Sequence, residues 1–312
     1  MGDQEPVGYW NWKTPTMGGQ QFWNDVLFRD GWKIQQNINT GHHRLIDSQH
    51  FRHAWGDRQH CQNVLEQQLA GEPRTNTNGE VVILLHGMIR THNSMNSIER
   101  LLQEHTDATV INFEYASCRQ TIEESAKALK SVIDGLNNDV KAIHFIGHSL
   151  GNIVVRRYLN DVYQLPVDQR PPFGRMVMLG PPNQGSRMAS LMNNSMIFNA
   201  VTGAAGKALG KGWKELVAEL ATPQFEFAII AGGKEEKPMI DNWALAGPND
   251  FTVSVAETHL NGAADTITLP LLHGTMMNSP DVHQAILSFL EHGRLSVLEA
   301  TQSIETERSE QK

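Results

Sequence analysis

The chain has 312 residues, of which 40% are hydrophobic and 19% are charged. This composition excludes disordered, collagen-like and membrane-spanning proteins, and the length suits one or two globular domains. Acidic residues outnumber basic ones, 34 to 26, and the net charge of −8 gives no reason to expect a nucleic-acid partner. Two cysteines, Cys61 and Cys118, are too few for a disulfide framework or a zinc site.

The amino terminus, MGDQEP, is polar and acidic. A secretory leader would begin with a basic region and continue with an apolar stretch of about 7–15 residues. We therefore expect a cytoplasmic protein, although a leader trimmed from the sequence would leave the same start. The longest uncharged stretch, residues 188–206, contains too many polar residues for a transmembrane helix.

Residues 1–79 predict an amino-terminal extension that packs on the edge of the main sheet. The segments 32–37 and 42–49 predict an antiparallel hairpin around the turn Asn39-Thr40-Gly41. Five of the seven tryptophans lie in this extension, and their irregular spacing favours packing over a substrate wall. Its histidines lack partners at metal-ligand spacing, so we expect no metal site.

Residues 80–293 alternate short apolar runs with helical patterns, which predicts an α/β fold with a mostly parallel central sheet and helices on both faces. Residues 183–224 show no strand pattern and suit a small helical cap or lid inserted into the helical layer. The charged residues 294–312 predict a frayed tail. Strands are predicted at 81–85, 109–115, 142–146, 175–179, 225–231 and 266–272, and helices at 98–105, 122–136, 150–160 and 282–290.

The pentapeptide Gly147-His148-Ser149-Leu150-Gly151 lies between a predicted buried strand and a predicted helix. In that context, G-x-S-x-G is typical of a sharp turn that lifts a nucleophilic serine above the sheet. Glycines are needed because the strand and helix backbones nearly touch there. Ser149 is therefore the candidate nucleophile.

A serine nucleophile needs a general base, and the base needs an orienting carboxylate. In this arrangement the acid follows a late strand and the histidine follows the last one. Asp250 and His273 occupy these places in the sequence and are the preferred assignments. The alternative acids are Asp241 and Asp265, and the alternative bases are His259 and His283.

An oxyanion that forms on the substrate needs two preorganised N–H donors. The N–H of Leu150, directly after the serine, is one candidate, and the N–H of Met88, after the strand that ends in His86-Gly87, is the other. The apolar segment 188–198 has two interpretations, a wall of the acyl pocket that also touches lipid, or a buried cap helix. Its candidate pocket residues are Met192, Met196 and Phe198.

Several motifs between residues 81 and 293 resemble those of the bacterial lipase and esterase branch of the α/β-hydrolase family. They are His86-Gly87-Met88, the Ser149 pentapeptide, Gly180-Pro-Pro-Asn-Gln-Gly-Ser186, Asn249-Asp250-Phe251 and His273-Gly-Thr-Met. The sequence departs from that pattern at Asn152, where a second glycine is usual, and at Asn249-Asp250-Phe251, where Asp-Gly is commoner.

The resemblance implies an α/β-hydrolase fold and a serine hydrolase of carboxylic esters that needs no cofactor. It assigns a catalytic triad to Ser149, Asp250 and His273 and the oxyanion donors to Met88 and Leu150. It also implies that Asn183, in the Pro-Pro-Asn-Gln-Gly-Ser segment, borders the acyl site.

Two alternatives to an ester hydrolase are compatible with the same fold. An acyltransferase or thioesterase on the same fold uses the same chemistry up to deacylation, and no sequence feature separates it from an esterase. A binding protein on a retained hydrolase scaffold would lack a catalytic member, whereas all three are present here. The expected partner is a small ester or lipid, with transient contact with a lipid surface, and no protein partner is implied.

Overall fold

Two separate β-sheets, one antiparallel and one parallel, organise the chain in the computed structural model. The structure describes residues 14–16, 20–70, 79–137, 139–192, 195–233, 245 and 247–296. Within these residues, no helix combines the length and the apolar character needed to cross a membrane.

The antiparallel sheet belongs to the amino-terminal residues and has five strands, which are followed by a helix. The elements are β1 (Thr14–Pro15), β2 (Trp23–Arg29), β3 (Trp32–Asn37), β4 (His43–Ile46), β5 (Phe51–Gly56) and α1 (Arg58–Leu69). The spatial order of the strands is β1-β5-β4-β3-β2. Helix α1 begins where the side chain of Asp57 accepts a hydrogen bond from the His60 N–H.

The predicted hairpin of residues 32–37 and 42–49 corresponds to β3 and β4, but its second strand was predicted too long. The strand ends at Ile46 because the Asp47 carboxylate accepts hydrogen bonds from the N–H groups of Gln49 and Phe51, at 3.0 and 2.9 Å, and closes a turn. Strands β2 and β5 and helix α1 were not predicted.

The parallel sheet has six strands, whose spatial order begins with the last strand in sequence and ends with the first two, the second of them at the edge. Its strands alternate with helices along the chain, and apolar side chains are buried on both faces. The predicted α/β class, with a parallel sheet covered on both faces, is confirmed. The elements are β6 (Glu80–Leu85), α2 (Asn96–His105), β7 (Thr109–Phe113), α3 (Ile122–Asp134), β8 (Ala142–His148), α4 (Leu150–Val162), β9 (Phe173–Leu179), α5 (Arg187–Met192), α6 (Met196–Leu209), α7 (Trp213–Val217), β10 (Phe227–Gly232), α8 (Val255–Thr258), β11 (Asp265–Leu269) and α9 (Pro280–His292).

The stretch 183–224, predicted as a cap, contains the three helices α5, α6 and α7. Helix α6 is kinked at Gly203, whose φ is 58° and ψ −143°. Ala189, Ala205 and Leu209 join the same apolar cluster as the sheet and helices α3 and α4. The helices of this stretch therefore pack against the sheet rather than stand away from it.

Parallel strands place all their carboxyl ends at one edge of the sheet, where loops of different strands meet. The loop after β6 carries Met88, and Ser149 directly follows β8. Asp250 comes after β10, and His273 comes after β11. The fold therefore brings the candidate catalytic residues to the same edge.

Candidate active site

Ser149 occupies the connection between β8 and α4, with φ 52° and ψ −118°. Its N–H donates to the carbonyl of Leu179 on the neighbouring strand, at 2.9 Å. A Cβ atom at Gly147 would lie 2.9 Å from the Asn152 backbone nitrogen, and one at Gly151 would lie 2.5 Å from the Leu85 carbonyl oxygen. The glycines on both sides are therefore required by contact, as the strained strand-to-helix turn predicts.

Asp250 and His273 form a hydrogen-bonded pair. The Nδ1 atom of His273 lies 2.6 Å from Oδ2 of Asp250, and the His273 N–H donates to the Asp250 carbonyl at 3.0 Å. Asp250 is fully buried, and its Oδ1 accepts the N–H groups of Thr252 and Val253 at 2.9 and 2.7 Å. These bonds fix the carboxylate and, through it, the orientation of the imidazole ring.

The alternative bases lie in other surroundings. His283 contacts the Met277 carbonyl at 2.8 Å, and His259 contacts Asn261 at 3.0 Å. Among the alternative acids, Asp265 begins β11, at the opposite end of the strand from His273. Asp241 lies outside the described residues.

Ser149 and His273 both line a cavity of about 430 Å³ at the carboxyl edge of the sheet. His148 lines it too, and its Nε2 donates to the His273 carbonyl at 3.0 Å. The pKa of His148 lies well below its usual value, mainly because the ring is buried and secondly because of the charge of neighbouring His273. His148 is therefore neutral and supports the loop that carries His273. Gly180 leaves room for the pair of His273 and Asp250, since a Cβ atom at Gly180 would lie 3.0 Å from the His273 Nδ1.

The backbone at Gly87 and Met88 passes close to the serine. A Cβ atom at Gly87 would lie 2.8 Å from His148 Nδ1 and 3.2 Å from the Cβ of Ser149. Within the described part of the chain, the N–H groups of Met88 and Leu150 donate to no backbone carbonyl. Leu150 begins α4, where N–H groups have no acceptor inside the helix. The lack of a backbone acceptor in this part of the chain is compatible with the predicted role of both groups as oxyanion donors.

The loop that carries Met88 is held by residues that sequence reasoning missed. The Ile89 N–H donates to the Cys118 sulfur at 3.1 Å. The Gln21 side chain, from the amino-terminal segment, donates to the Arg90 carbonyl at 2.5 Å and accepts the Cys118 N–H at 3.0 Å. These contacts tie the loop to two segments distant in sequence.

A buried carboxylate, Glu114, lies behind the same loop. It forms close pairs with His92 and, at 3.6 Å, with His86, whose carbonyl accepts a 2.6 Å hydrogen bond from the Tyr115 hydroxyl. Burial raises the pKa of Glu114, but the two imidazoles outweigh it and lower that pKa to about 2. The Glu114 N–H donates to Asp25 on β2, at 2.9 Å, so the network joins both sheets.

The cavity wall differs from the expected pocket. Asn183 is buried but does not line it, because its amide donates to the Thr258 carbonyl at 2.9 Å and its oxygen accepts from Arg156 at 3.0 Å. Met192 does not line the cavity either and is 41% exposed at the end of α5. The side chains of Met196 and Phe198 lie outside the described ones. The wall contains instead Met88, Ile89, Arg90, Pro182, Ser186, Met188, Ala189, Thr202, Leu209, Thr252 and Val253.

The family described as a domain of unknown function, DUF7379, matches residues 45–223, more than half of the chain. The chain belongs to this family. Its matched part contains the Met88 loop and Ser149 but ends before Asp250 and His273. A search of curated proteins found no match.

Solved structures similar to this DUF7379 protein include lipases and esterases. The Bacillus licheniformis lipase BlEst2 in its mature form is 16% identical, with 67% of this chain and 90% of that chain covered and a TM-score of 0.50. Its propeptide form is 15% identical, with coverages of 68% and 50% and a TM-score of 0.52. The metagenomic carboxyl esterase MGS0156 is 18% identical, with coverages of 65% and 68% and a TM-score of 0.45. The likeness to the two BlEst2 structures shows an α/β-hydrolase fold.

Proposed function

We propose that this DUF7379 protein is a serine hydrolase that cleaves carboxylic esters. The observation that carries the proposal is the 2.6 Å pair of His273 and buried Asp250, with His273 sharing a cavity with Ser149 at its strained turn. A serine, a histidine that can accept its proton, and a carboxylate that orients the histidine are the groups needed to attack an acyl carbonyl.

In the proposed reaction, His273 takes the proton of the Ser149 hydroxyl as its oxygen attacks the ester carbonyl. The N–H groups of Met88 and Leu150 stabilise the negative charge on the carbonyl oxygen, and Asp250 stabilises the imidazolium. The protonated His273 then gives its proton to the departing alcohol, which leaves an acyl group on Ser149. Water, deprotonated by the same histidine, then attacks the acyl carbon. The bond to the Ser149 oxygen breaks, the histidine returns the proton to that oxygen, and the acid is released.

The cavity wall suits an apolar acyl chain. Met88, Met188, Ala189 and Leu209 line one part of it, and flexible methionine side chains adapt to chains of different shape. We propose medium-length acyl groups as the preferred substrates.

Three exposed apolar side chains, each in a segment that contributes to the cavity wall, support contact with a lipid surface. Ile89 lines the cavity and is 57% exposed, Phe251 next to Asp250 is 48% exposed, and Leu191 on α5 is 52% exposed. Large apolar side chains exposed beside a binding cavity favour contact with an apolar partner. We propose that this surface makes transient contact with lipid that contains the ester.

The direct test measures hydrolysis of p-nitrophenyl esters, from acetate to palmitate, by the wild type, Ser149→Ala and Ser131→Ala. Ser131 is the control because its hydroxyl bonds to the Lys127 carbonyl on the surface of α3. We expect a rate that peaks at one chain length, disappears in Ser149→Ala and persists in Ser131→Ala. Hydrolysis that survives in Ser149→Ala, or no hydrolysis of any ester, would contradict the proposal.

The same assay separates the esterase from its alternatives. Faster acyl transfer to an added alcohol than to water would favour an acyltransferase, and a higher kcat/KM for acyl thioesters than for matched oxygen esters would favour a thioesterase. In both cases the acyl group would still pass through Ser149.

A further inference from the structure

A positive charge lies in the wall of the catalytic cavity, on Arg90. No Asp or Glu is among the described residues that line this cavity. Within the described part of the chain, no ion pair joins Arg90 to a carboxylate. In a protein with a net charge of −8, carboxylates outnumber cations, so an arginine beside the candidate nucleophile without a carboxylate partner is unusual.

The side chain of Arg90 has unused capacity for hydrogen bonds. A guanidinium carries five N–H donors. Among the described residues its one protein acceptor is the Gly274 carbonyl, at a long 3.4 Å from Nη2. The guanidinium can therefore bind a further acceptor, and its fork of donors matches the paired oxygens of a phosphate or carboxylate.

The backbone of Arg90 is fixed on both sides. Its N–H donates to the Gly87 carbonyl at 3.3 Å, and its own carbonyl accepts from the Gln21 amide at 2.5 Å. The guanidinium thus extends from an anchored loop, so less conformational entropy is lost when it binds an anion.

The contact with Gly274 identifies the part of the substrate that Arg90 would meet. Gly274 directly follows His273, the residue that gives its proton to the departing alcohol in the proposed reaction. The oxygen of that alcohol must lie within hydrogen-bond reach of the imidazole. Because Arg90 and His273 line the same cavity and the guanidinium contacts the residue after His273, the alcohol part of the ester is the part that we assign to Arg90.

We propose that Arg90 binds an anionic group on the alcohol part of the substrate, so that the natural ester is an acylated alcohol that carries a phosphate or a carboxylate. This inference rests on the proposed ester hydrolysis and adds a substrate class to it. The acyl group occupies the apolar wall near Met188 and Leu209, and the anion pairs with the guanidinium.

The test uses three soluble butyrate esters that differ in the charge of the alcohol: 1-butyrylglycerol 3-phosphate, the butyrate ester of glyceric acid, and neutral 1-butyrylglycerol. Release of butyrate is measured for the wild type, Arg90→Gln, Arg90→Lys and Arg58→Gln. Arg58 is the matched control because it is exposed at the start of α1, away from the cavity lining, and its loss changes the net charge equally.

We expect the wild type to show a kcat/KM at least about tenfold higher for a charged ester than for the neutral one. Arg90→Gln should lower this ratio to near one, Arg90→Lys should retain part of it, and Arg58→Gln should retain all of it. The ratio is the decisive quantity because general damage to the enzyme lowers both kcat/KM values together. Preference for the phosphate, the carboxylate or both identifies the anion.

A second measurement needs no variant. Glycerol 3-phosphate should inhibit hydrolysis of p-nitrophenyl butyrate by the wild type competitively, and glycerol at the same concentration should not. Equal rates for charged and neutral esters, a preference that survives in Arg90→Gln, or no inhibition by glycerol 3-phosphate would overturn the role of Arg90. Such results alongside normal, Ser149-dependent hydrolysis of p-nitrophenyl butyrate would leave the proposed esterase intact, whereas absence of all hydrolysis would refute the esterase itself.

Discussion

The buried carboxylate of Glu114 joins the amino-terminal sheet to the loop that carries Met88. Its replacement by glutamine measures how much this carboxylate contributes to the free energy of unfolding. Glu114 is 1% exposed and contacts His86 and His92 on the side of this loop. Glutamine keeps the size and one acceptor oxygen but removes the negative charge. We expect Glu114→Gln to fold less stably at neutral pH because two imidazoles lose the carboxylate that they face.

The size of the effect follows from the pKa of Glu114. Its pKa falls from the ordinary 4.5 to about 2 in the folded protein, which corresponds to about 3 kcal/mol of stability. Because the folded pKa lies below the unfolded one, this contribution is complete above about pH 5 and is lost as the pH falls towards 2. At about pH 3.5 it should have decreased to about 2 kcal/mol.

The assay is urea unfolding of the wild type and Glu114→Gln at several pH values between 7 and 3.5, followed by tryptophan fluorescence. The difference in unfolding free energy should be about 3 kcal/mol at pH 7 and should shrink as the pH falls, since the protonated wild type then resembles the variant. Glu104→Gln, an exposed change on α2, should differ little from the wild type at any pH. A difference for Glu114→Gln that is absent at pH 7, or that does not change with pH, would refute the reasoning.

Three further changes test the site itself. Asp250→Asn should lower kcat for p-nitrophenyl butyrate about 10⁴-fold, because the amide no longer orients and stabilises the histidine ring. Gly151→Ala should lower the melting temperature, since the new Cβ would lie 2.5 Å from the Leu85 carbonyl oxygen. Gln21→Ala should lower kcat about tenfold or more with little change in KM, because the Met88 loop loses its 2.5 Å anchor at the Arg90 carbonyl. An unchanged melting temperature or kcat in the respective variant would contradict each expectation.

The strands and helices of the parallel sheet and the position of Ser149 were predictable because each has its own local sequence pattern. An apolar strand, a glycine-flanked serine and an amphipathic helix follow each other directly, and the sterics of the turn allow few other arrangements. The order of acid and base along the chain then located Asp250 and His273, which the structure brings together at 2.6 Å.

The amino-terminal sheet was only partly predicted, although the sequence contains a signal for it. Asp30 and Gly31 both have positive φ, 48° and 80°, and form the two-residue turn between β2 and β3. Asp-Gly is among the strongest local indications of a hairpin. Strand β2 was not predicted because its sequence, WNDVLFR, does not alternate apolar and polar residues.

The residues that hold the Met88 loop could not be predicted from local sequence patterns. Glu114 and Asp25 are 89 residues apart, and Gln21 and Cys118 are 97 apart. No periodicity or short motif relates such positions, because their contact exists only after the two sheets pack. The contact of the Arg90 side chain could not be predicted for a similar reason, since its acceptor, the Gly274 carbonyl, is 184 residues away in sequence.

These supports follow a regular pattern. After β7, three alternate N–H groups of the chain donate to side-chain oxygens of the amino-terminal segment. The N–H of residue 114 donates to Asp25 at 2.9 Å, that of residue 116 to Asn24 at 2.9 Å, and that of residue 118 to Gln21 at 3.0 Å. Alternate N–H groups of an extended segment normally bond to a neighbouring strand. Here three side chains take the place of that strand's carbonyls.

This arrangement makes the amino-terminal sheet part of the support for the Met88 loop, and so for the proposed oxyanion donor. The segment that it orders contacts the Met88 loop directly, through the Tyr115 hydroxyl on the His86 carbonyl and the Cys118 sulfur on the Ile89 N–H. An oxyanion donor is effective only when its position is fixed before the reaction, because a mobile donor must be ordered in the transition state. Changes in the amino-terminal sheet should therefore act on kcat even though its residues do not line the cavity.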